Sequence, residues 1–126
     1  MSGGGKRLVF AALVVGSWAA CASAQDAAQG KAKFDHTCAP CHGAGVGDDG
    51  RAMLPGTDAL RIKYQGSLPA LLEQRTDLNA DAIRTFVRRG TWSMPPFRPT
   101  EVTERDIQDI AAYLRQSSGA ASRGAR

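Results

Sequence analysis

The sequence predicts a small all-α protein in which about four to five helices form a single domain. Apolar residues recur at helical spacing in several segments, whereas the alternating patterns typical of strands are weak. The chain has 126 residues, and neither an internal repeat nor a linker divides it. A domain of this size has only a modest hydrophobic core of its own.

The first predicted helix covers residues 26–36, with Phe34 as its large apolar residue. Residues 43–56 are rich in Gly and Asp and indicate an irregular loop. Ser67 is a suitable N-cap for a short helix that continues to Arg75. The sequence thus predicts a loop between the first two helices.

A third helix is predicted after Asn79, which can cap it. Ile83, Phe86 and Val87 follow at the spacing i, i+3, i+4, which puts them on one face. Gly90 is expected to end the helix, because glycine tolerates the backbone conformation found at helix ends. We therefore expect this helix to bury an apolar stripe.

The last helix has the clearest signals. Thr103 and Asp106 have the spacing of a capping pair. Four apolar residues then repeat at i, i+3, i+4, i+7, namely Ile107, Ile110, Ala111 and Leu114. From Ser117 onward the chain is small, polar and glycine-containing, so we expect it to fray and predict a flexible tail at residues 118–126.

The charge of the chain is modest. The formal net charge is +4, of which Lys6 and Arg7 contribute two. Arg84, Arg88 and Arg89 lie mainly off the apolar stripe of their helix and are expected to face solvent. No basic stripe is present and aromatic residues make up only 6% of the chain, so the sequence does not favour nucleic-acid binding.

The segment Cys38-Ala39-Pro40-Cys41-His42 is the most specific motif of the chain. Two cysteines three positions apart, followed at once by histidine, form the pattern that attaches haem c. Each sulfur can bond to one vinyl group of the haem, and the imidazole can then bind the iron. The motif predicts one covalent haem c, with Cys38 and Cys41 as attachment points and His42 as an axial ligand.

Two other uses of a cysteine pair are less consistent with the sequence. A thioredoxin-like redox pair is expected in a βαβ context, which is not visible here. A structural zinc site needs about four ligands, whereas the remaining candidates are Cys21 and His36. His36, two residues before the haem motif, is better explained as a surface residue at a helix end.

Residues 1–24 are predicted to be a secretory signal peptide. Lys6 and Arg7 precede an apolar run at 8–20, which is shorter than the about 20 residues of a membrane span. Small residues at 22–24 form a cleavage site that would leave Gln25 as the first residue of the mature protein. We therefore expect a periplasmic protein with no transmembrane segment in its mature form, since haem c is attached after export in bacteria.

Cys21 leaves a second interpretation of the N-terminus open. The segment Ala19-Ala20-Cys21 partly resembles a lipoprotein cleavage site, although Trp18 stands where leucine is usual. In that case the mature chain would be anchored through a lipid on Cys21. Otherwise Cys21 is removed with the signal peptide, and residues 25–117 form the domain.

Met94 is the predicted second axial ligand of the iron. Pro95 and Pro96 stiffen the segment around it, which suits a weak thioether ligand because little chain entropy is lost on binding. Met53 is an alternative, but it follows His42 closely and is better explained by core packing. Ligation by His and Met raises the reduction potential and fills the coordination sphere, so single-electron transfer is the expected task.

The other ring nitrogen of His42 needs a hydrogen-bond acceptor that fixes the orientation of the ring. The carbonyl of Pro55 is the candidate, since the loop after the haem motif could fold back at this residue. The alternative is that Pro55 only turns the chain.

The chain resembles the class I cytochromes c over residues 26–117. The resemblance rests on the haem motif, the Met94 loop and four further residues: Gly30, Phe34, Pro55 and Tyr113. In that family the first and last helices cross, which implies that Gly30, Phe34 and Tyr113 meet at the crossing. The resemblance also implies an electron-transfer protein rather than an enzyme.

Three segments are similar to the small cytochrome subunits of flavocytochromes such as p-cresol methylhydroxylase and eugenol hydroxylase. They are Leu54-Pro55-Gly56-Thr57, residues 73–78 and residues 94–98. In those complexes a flavoprotein subunit oxidises a para-alkylphenol and passes single electrons to the haem. The resemblance implies a flavin-containing dehydrogenase as partner and another cytochrome or a copper protein as acceptor. The sequence itself shows no flavin site, phenol site or catalytic residue.

Two other functions are compatible with a haem motif. A free-standing carrier between a periplasmic dehydrogenase and a terminal oxidase would use the same ligands, whereas a sensing haem protein needs an open iron position, which the Met94 loop disfavours. For a flavocytochrome subunit, Trp92 suits a docking surface, although it is equally well explained by haem packing. Arg75 and Arg98 could contact haem propionates or the partner, but each is more simply a surface charge.

Overall fold

The computed structural model describes residues 25–124, which form five α-helices and one short 3-10 helix. The α-helices are α1 (Ala27–Thr37), α2 (Ala39–His42), α3 (Pro55–Tyr64), α4 (Ala80–Arg89) and α5 (Glu104–Gly124), and the 3-10 helix covers Leu72–Gln74. Within this part of the chain, the strand-like pairing is limited to an isolated bridge between Thr91 and Met94. The predicted all-α class is confirmed.

Both chain ends lie outside the described residues. The predicted signal peptide (1–24), which includes Cys21, falls there, and so do residues 125–126 of the predicted tail. Between residues 25 and 124, no helix has the length and apolar character needed to cross a membrane.

Helix α1 begins at Ala27 because Asp26 caps it. The Asp26 carboxylate accepts hydrogen bonds from the backbone N–H groups of Ala28 and Gln29, at 2.9 and 3.1 Å. Two of the donors that a helix start leaves open are thereby satisfied. The helix ends at Thr37, one residue beyond the predicted end.

Helices α1 and α5 cross in direct backbone contact at Gly30. A Cβ atom at this position would lie 1.9 Å from the carbonyl oxygen of Asp109, so a larger residue cannot be accommodated without separating the helices. One turn further on, Phe34 is 1% exposed, and its ring centroid lies 5.4 Å from that of Tyr113. The crossing of the first and last helices at Gly30, Phe34 and Tyr113 is confirmed.

Helix α5 starts with the predicted capping pair. The backbone N–H of Thr103 donates to the Asp106 carboxylate at 2.7 Å, and the backbone N–H of Asp106 donates to the Thr103 hydroxyl at 3.1 Å. The four predicted apolar positions, Ile107, Ile110, Ala111 and Leu114, are all buried. These side chains form the centre of the hydrophobic core.

The end of α5 differs from the prediction, because the helix continues to Gly124 instead of fraying from Ser117. Ser117 donates its hydroxyl hydrogen to the carbonyl of Glu73 at 3.0 Å, and Ser118 is only 4% exposed. The hydroxyls of Ser118 and Ser122 donate to carbonyls one turn earlier in the helix. Serines whose hydroxyls find such partners remain compatible with a helix.

The region between the haem motif and α4 also differs from the prediction. Pro55 occupies the first turn of α3, a position where its missing N–H leaves no hydrogen bond unmade. Helix α3 was not predicted, because only a loop was expected at residues 43–56. The helix predicted from Ser67 to Arg75 is reduced to Leu72–Gln74. Ser67 does not cap it, because its hydroxyl donates to the carbonyl of Tyr64 at 2.6 Å.

Helix α4 has the predicted bounds. The Asn79 side chain accepts from the backbone N–H of Ala82 at 2.9 Å, and Gly90 ends the helix. Ile83 and Val87 are buried as expected, whereas Phe86 is 39% exposed. Adjacent residues on a helix point about 100° apart, so burial of Val87 leaves Phe86 at the edge of the packed face.

Candidate haem site

The two cysteines and the histidine of the haem motif lie on one helical turn. The backbone N–H of Cys38 donates to the carbonyl of Phe34 at 2.8 Å, which carries the chain directly from α1 into α2. The N–H groups of Cys41 and His42 then both donate to the carbonyl of Cys38, at 3.2 and 2.8 Å. Two thiols and one imidazole are thereby held by the same short piece of backbone.

The two thiols differ in their surroundings. Cys38 is half-buried and packs against the hydrophobic core, whereas Cys41 is exposed. Burial raises the pKa of the Cys38 thiol to about 11, an effect that the nearby positive charge of Lys33 partly opposes. Both cysteines are free thiols, so both sulfurs are available for thioether bonds.

The imidazole of His42 packs against the start of α3. A Cβ atom at Gly56 would lie 2.7 Å from Cε1 and 2.8 Å from Nδ1 of His42, so this edge of the ring faces backbone. Burial lowers the pKa of His42, which favours the neutral imidazole that a metal requires. With Nδ1 facing Gly56, Nε2 is the ring nitrogen that could bind iron.

The predicted hydrogen bond from His42 to the carbonyl of Pro55 is not formed. Among the described residues, Nδ1 of His42 is a buried atom with no hydrogen-bond partner. The turn at Pro55 instead places the Gly56 backbone beside the ring. Pro55 thus acts here through the position of α3, which it begins.

Thr57 joins α3 to the end of the haem motif. It is 2% exposed, and its hydroxyl donates to the carbonyl of Gly43 at 3.0 Å. Sequence analysis did not single out Gly56 or Thr57, although both belong to a segment noted for its resemblance. The signal that could have identified them is their position directly after a proline suited to start a helix.

An apolar groove of about 380 Å³ adjoins the haem motif. Its walls come from the segment after the motif, from α3 and from the region of the 3-10 helix, and they include Gly43, Met53, Thr57, Leu71 and Gln74. Met53 is half-buried in this wall. The groove offers space for an apolar group next to the turn that carries the thiols.

Met94 lies on a tight turn that follows α4. Its backbone N–H donates to the carbonyl of Thr91 at 2.9 Å, and its carbonyl accepts from the N–H of Thr91 at 3.0 Å. Gly90 has φ +66°, and a Cβ there would lie 2.6 Å from the carbonyl oxygen of Met94, so glycine is required. The Met94 side chain is half-buried and packs against the same hydrophobic core as Cys38.

Trp92 occupies the tip of this turn. Its φ is +55°, in the left-handed region that side chains with a Cβ rarely adopt, and its side chain is fully exposed at 102%. The reciprocal bonds between Thr91 and Met94 hold this conformation in place. No described residue covers the Trp92 side chain.

The chain after Met94 is held by Arg88, which was expected to face solvent. Its guanidinium donates to the carbonyl of Phe97 at 3.3 Å and to that of Val102 at 2.8 Å. It also pairs with Glu104 at 3.0 Å. The prediction is wrong because the irregular segment after the turn has carbonyl groups that need donors, and Arg88 can reach them.

Three further side chains were expected at the surface, namely Arg75, Arg98 and His36. Arg75 was expected to be a surface charge, but its side chain is only 5% exposed. Its guanidinium donates two hydrogen bonds to the Asp77 carboxylate, at 2.9 and 2.5 Å. It also lies 4.7 Å from the ring centroid of Tyr64. Arg98 has a side chain that is 79% exposed and pairs with Glu101. His36 is exposed at the end of α1, as expected.

The structure thus brings the thiols of Cys38 and Cys41 and the imidazole of His42 onto one turn, and it packs Met94 and Cys38 on one core. The free thiols, the adjoining groove and the imidazole of His42, whose Nε2 could bind iron, fit a covalently attached haem.

Comparison with known families agrees with this assignment of the motif. A family model described as cytochrome c oxidase, cbb3-type, subunit III matches residues 25–114. The matched range includes the haem motif, the Met94 turn and the crossing part of α5. No curated protein matches the chain.

Proposed function

The chain belongs to the family described as cbb3-type cytochrome c oxidase subunit III and is a haem c electron carrier, and from this premise we propose the residues that hold the haem. Cys38 and Cys41 form the thioether bonds. His42 and Met94 are the axial ligands of the iron. The proposal is supported by the single turn that carries the first three residues and by the rigid turn that presents the fourth.

Bound haem c supplies a centre that gains or loses one electron at a time. His42 and Met94 would hold the iron of this centre. The ring of His42 packs against the Gly56 backbone, and the backbone of Met94 is fixed by paired hydrogen bonds to Thr91. Ligands on a rigid backbone would need little rearrangement between the two oxidation states, which would favour fast electron transfer. Family membership likewise indicates electron transfer rather than catalysis.

The protein is proposed to work in the periplasm. The apolar run at 8–20 and the small residues at 22–24 support export and cleavage after Ala24. Mature protein then begins at Gln25, and haem is attached after export. Mass spectrometry of periplasmic protein tests this directly, since a retained N-terminus or a lipid on Cys21 would contradict it.

The partner is proposed to be a flavoprotein dehydrogenase that oxidises para-alkylphenols, with this chain as its electron-accepting subunit. Docking is supported by the position of Trp92, two residues from the proposed ligand Met94, where no described residue covers its side chain. A large aromatic side chain held rigidly in solvent, at a cost in backbone strain, is typical of an interface anchor. Arg89 and Arg98 are exposed close to it in sequence and would suit an acidic partner surface.

The experiment is to purify the tagged protein from its native periplasm under mild conditions. A stoichiometric partner with covalently bound flavin, which reduces the haem when a para-alkylphenol is added, is the expected result. A Trp92→Ala variant should lose this partner while keeping its haem. Recovery of a haem-containing monomer without any flavoprotein would contradict the proposal.

The second candidate is a free-standing carrier that delivers electrons to a terminal oxidase. The description of the matching family, which refers to an oxidase, favours this candidate. The two candidates differ in the lifetime of their complexes. A carrier would be isolated alone and would be oxidised by membranes that contain the oxidase, whereas a subunit would remain with its flavoprotein through gel filtration.

A further inference from the structure

We propose that Gln25, as the first residue of the mature protein, cyclises to pyroglutamate with the assistance of Arg115. This inference rests on the proposed cleavage after Ala24, which frees the α-amino group of Gln25. The modification would give the mature chain an N-terminus without charge.

The side chain of Gln25 is held between two residues of α5. Its carbonyl oxygen Oε1 accepts a hydrogen bond from the Arg115 guanidinium at 2.6 Å, and its Nε2 donates to Oε1 of Gln108 at 2.9 Å. The next residue is anchored as well, because the backbone N–H of Asp26 donates at 2.7 Å to the carboxylate of Asp109, which is 4% exposed. The amide group of Gln25 therefore has a defined position at the crossing of α1 and α5.

Cyclisation requires atoms of Gln25 alone. The lone pair of the uncharged α-amino nitrogen attacks Cδ of the side-chain amide and forms a new N–Cδ bond. The Cδ–Nε2 bond then breaks, a proton from the attacking nitrogen passes to Nε2, and ammonia leaves. The product is a five-membered lactam, and no oxidant or further reactant is needed.

Arg115 is placed to promote the attack. Negative charge develops on Oε1 as the nitrogen adds to Cδ, and the guanidinium already donates to that atom. The attack requires the uncharged α-amino group, whose fraction grows as the pH rises from neutral to mildly alkaline. The contact between Arg115 and Gln25 is exposed, so we expect Arg115 to raise the cyclisation rate only about fivefold, less than a buried oxyanion site would.

One anchoring contact does not involve the reacting atoms, namely the bond from the Asp26 N–H to Asp109. The bond from Nε2 to Gln108 is lost with the departing ammonia. Loss of the positive charge near the start of α1 also removes an unfavourable interaction with the helix dipole. A lactam has no free amine, so the N-terminus would resist aminopeptidases.

The first test is the mass of the N-terminal peptide of holo-protein from the periplasm. The expected peptide begins at residue 25 and is about 17 Da lighter than the free glutamine form, because ammonia has been lost. A peptide that begins at Gln25 with a free amine would overturn the inference while leaving the proposed cleavage intact. A peptide that begins elsewhere would overturn both.

The second test measures the role of Arg115. Holo-protein is exported with a protease site directly before Gln25, and the loss of ammonia is followed by intact mass after proteolytic release at pH 8. Arg115→Ala should cyclise about fivefold more slowly than wild type, whereas Arg123→Ala, an exposed arginine on the same helix, should match wild type. In denaturant the Arg115→Ala and wild-type rates should become equal. Equal rates in the folded proteins would overturn the role of Arg115.

Discussion

Gly56 and His42 are in contact, such that a Cβ atom on residue 56 would lie 2.7 Å from Cε1 of the imidazole. The same Cβ would lie 2.8 Å from the carbonyl oxygen of Cys41. Neither group can move aside easily, because the Cys41 oxygen belongs to the backbone and the His42 ring is packed between α2 and α3. The absence of a side chain at position 56 therefore determines where the ring of His42 can lie.

Gly56→Ala should destabilise the holo-protein by about 1–3 kcal/mol, because the inserted methyl group forces α3 and the ring of His42 apart. Guanidinium unfolding followed by haem absorption measures this. The matched control is Gly119→Ala in α5, where the nearest atom would be 3.7 Å away, so that substitution should be neutral or stabilise by up to about 1 kcal/mol. Identical unfolding midpoints for the two variants would refute the steric argument.

Arg88→Ala should loosen the segment after Met94, because the carbonyls of Phe97 and Val102 lose their donor. We expect a loss of about 1–3 kcal/mol in stability. The far-red absorption band of a thioether bound to ferric iron should also disappear at a lower denaturant concentration than in wild type. Arg89→Ala is the control, since Arg89 is exposed and makes no ion pair among residues 25–124, and its stability should stay within about 0.5 kcal/mol.

Met94→Ala should remove the far-red thioether band and lower the reduction potential by an amount on the order of 100 mV, because a thioether ligand favours the ferrous state. Absorption spectra and a redox titration measure both effects. Met53→Leu preserves side-chain volume in the groove wall, and should keep the band and the potential. Loss of the band in Met53→Leu, with its retention in Met94→Ala, would reverse the ligand assignment.

Trp92→Ala should weaken binding of the flavoprotein partner by about tenfold or more, as expected for an aromatic interface anchor. Trp92→Gly separates this effect from folding, because glycine relieves the positive φ and should raise stability by up to about 1 kcal/mol. Ile62→Ala, which truncates another exposed apolar side chain, should leave partner affinity unchanged. Calorimetric titration with the purified flavoprotein provides the affinities, and undiminished binding by both Trp92 variants would exclude Trp92 as an anchor.

The helix bounds show where local patterns suffice. The cap at Asn79, the capping pair at Thr103 and the apolar repeat of α5 were correctly predicted, because each depends on residues within one or two turns of the chain. The wrong predictions have two causes. Ser117 stays helical through a hydrogen bond to Glu73, 44 residues earlier, which no local pattern indicates. Ser67 does not cap a helix because its hydroxyl bonds to Tyr64, three residues earlier, at the end of a helix that was not predicted.

The features of the haem site also separate into those that local sequence predicts and those that depend on packing. The residue types and spacing of Cys38, Cys41 and His42 identified a haem c motif, because one helical turn places all three side chains together. The surroundings of the imidazole could not be predicted, because they depend on how α3 packs against α2. The expected partner Pro55 is replaced by the backbone of Gly56, and Nδ1 of His42 remains without an acceptor.

The sequence by itself determined the all-α class, the haem motif and the methionine proposed as second ligand, since these follow from local composition and spacing. Only the tertiary structure decided that Arg88 holds the chain after Met94, that Arg75 is buried beside Tyr64, and that no described residue covers Trp92. The physical reason is that long side chains reach partners far away in sequence. Whether an arginine or a tryptophan is buried depends on which carbonyls, rings and carboxylates the fold brings within that reach.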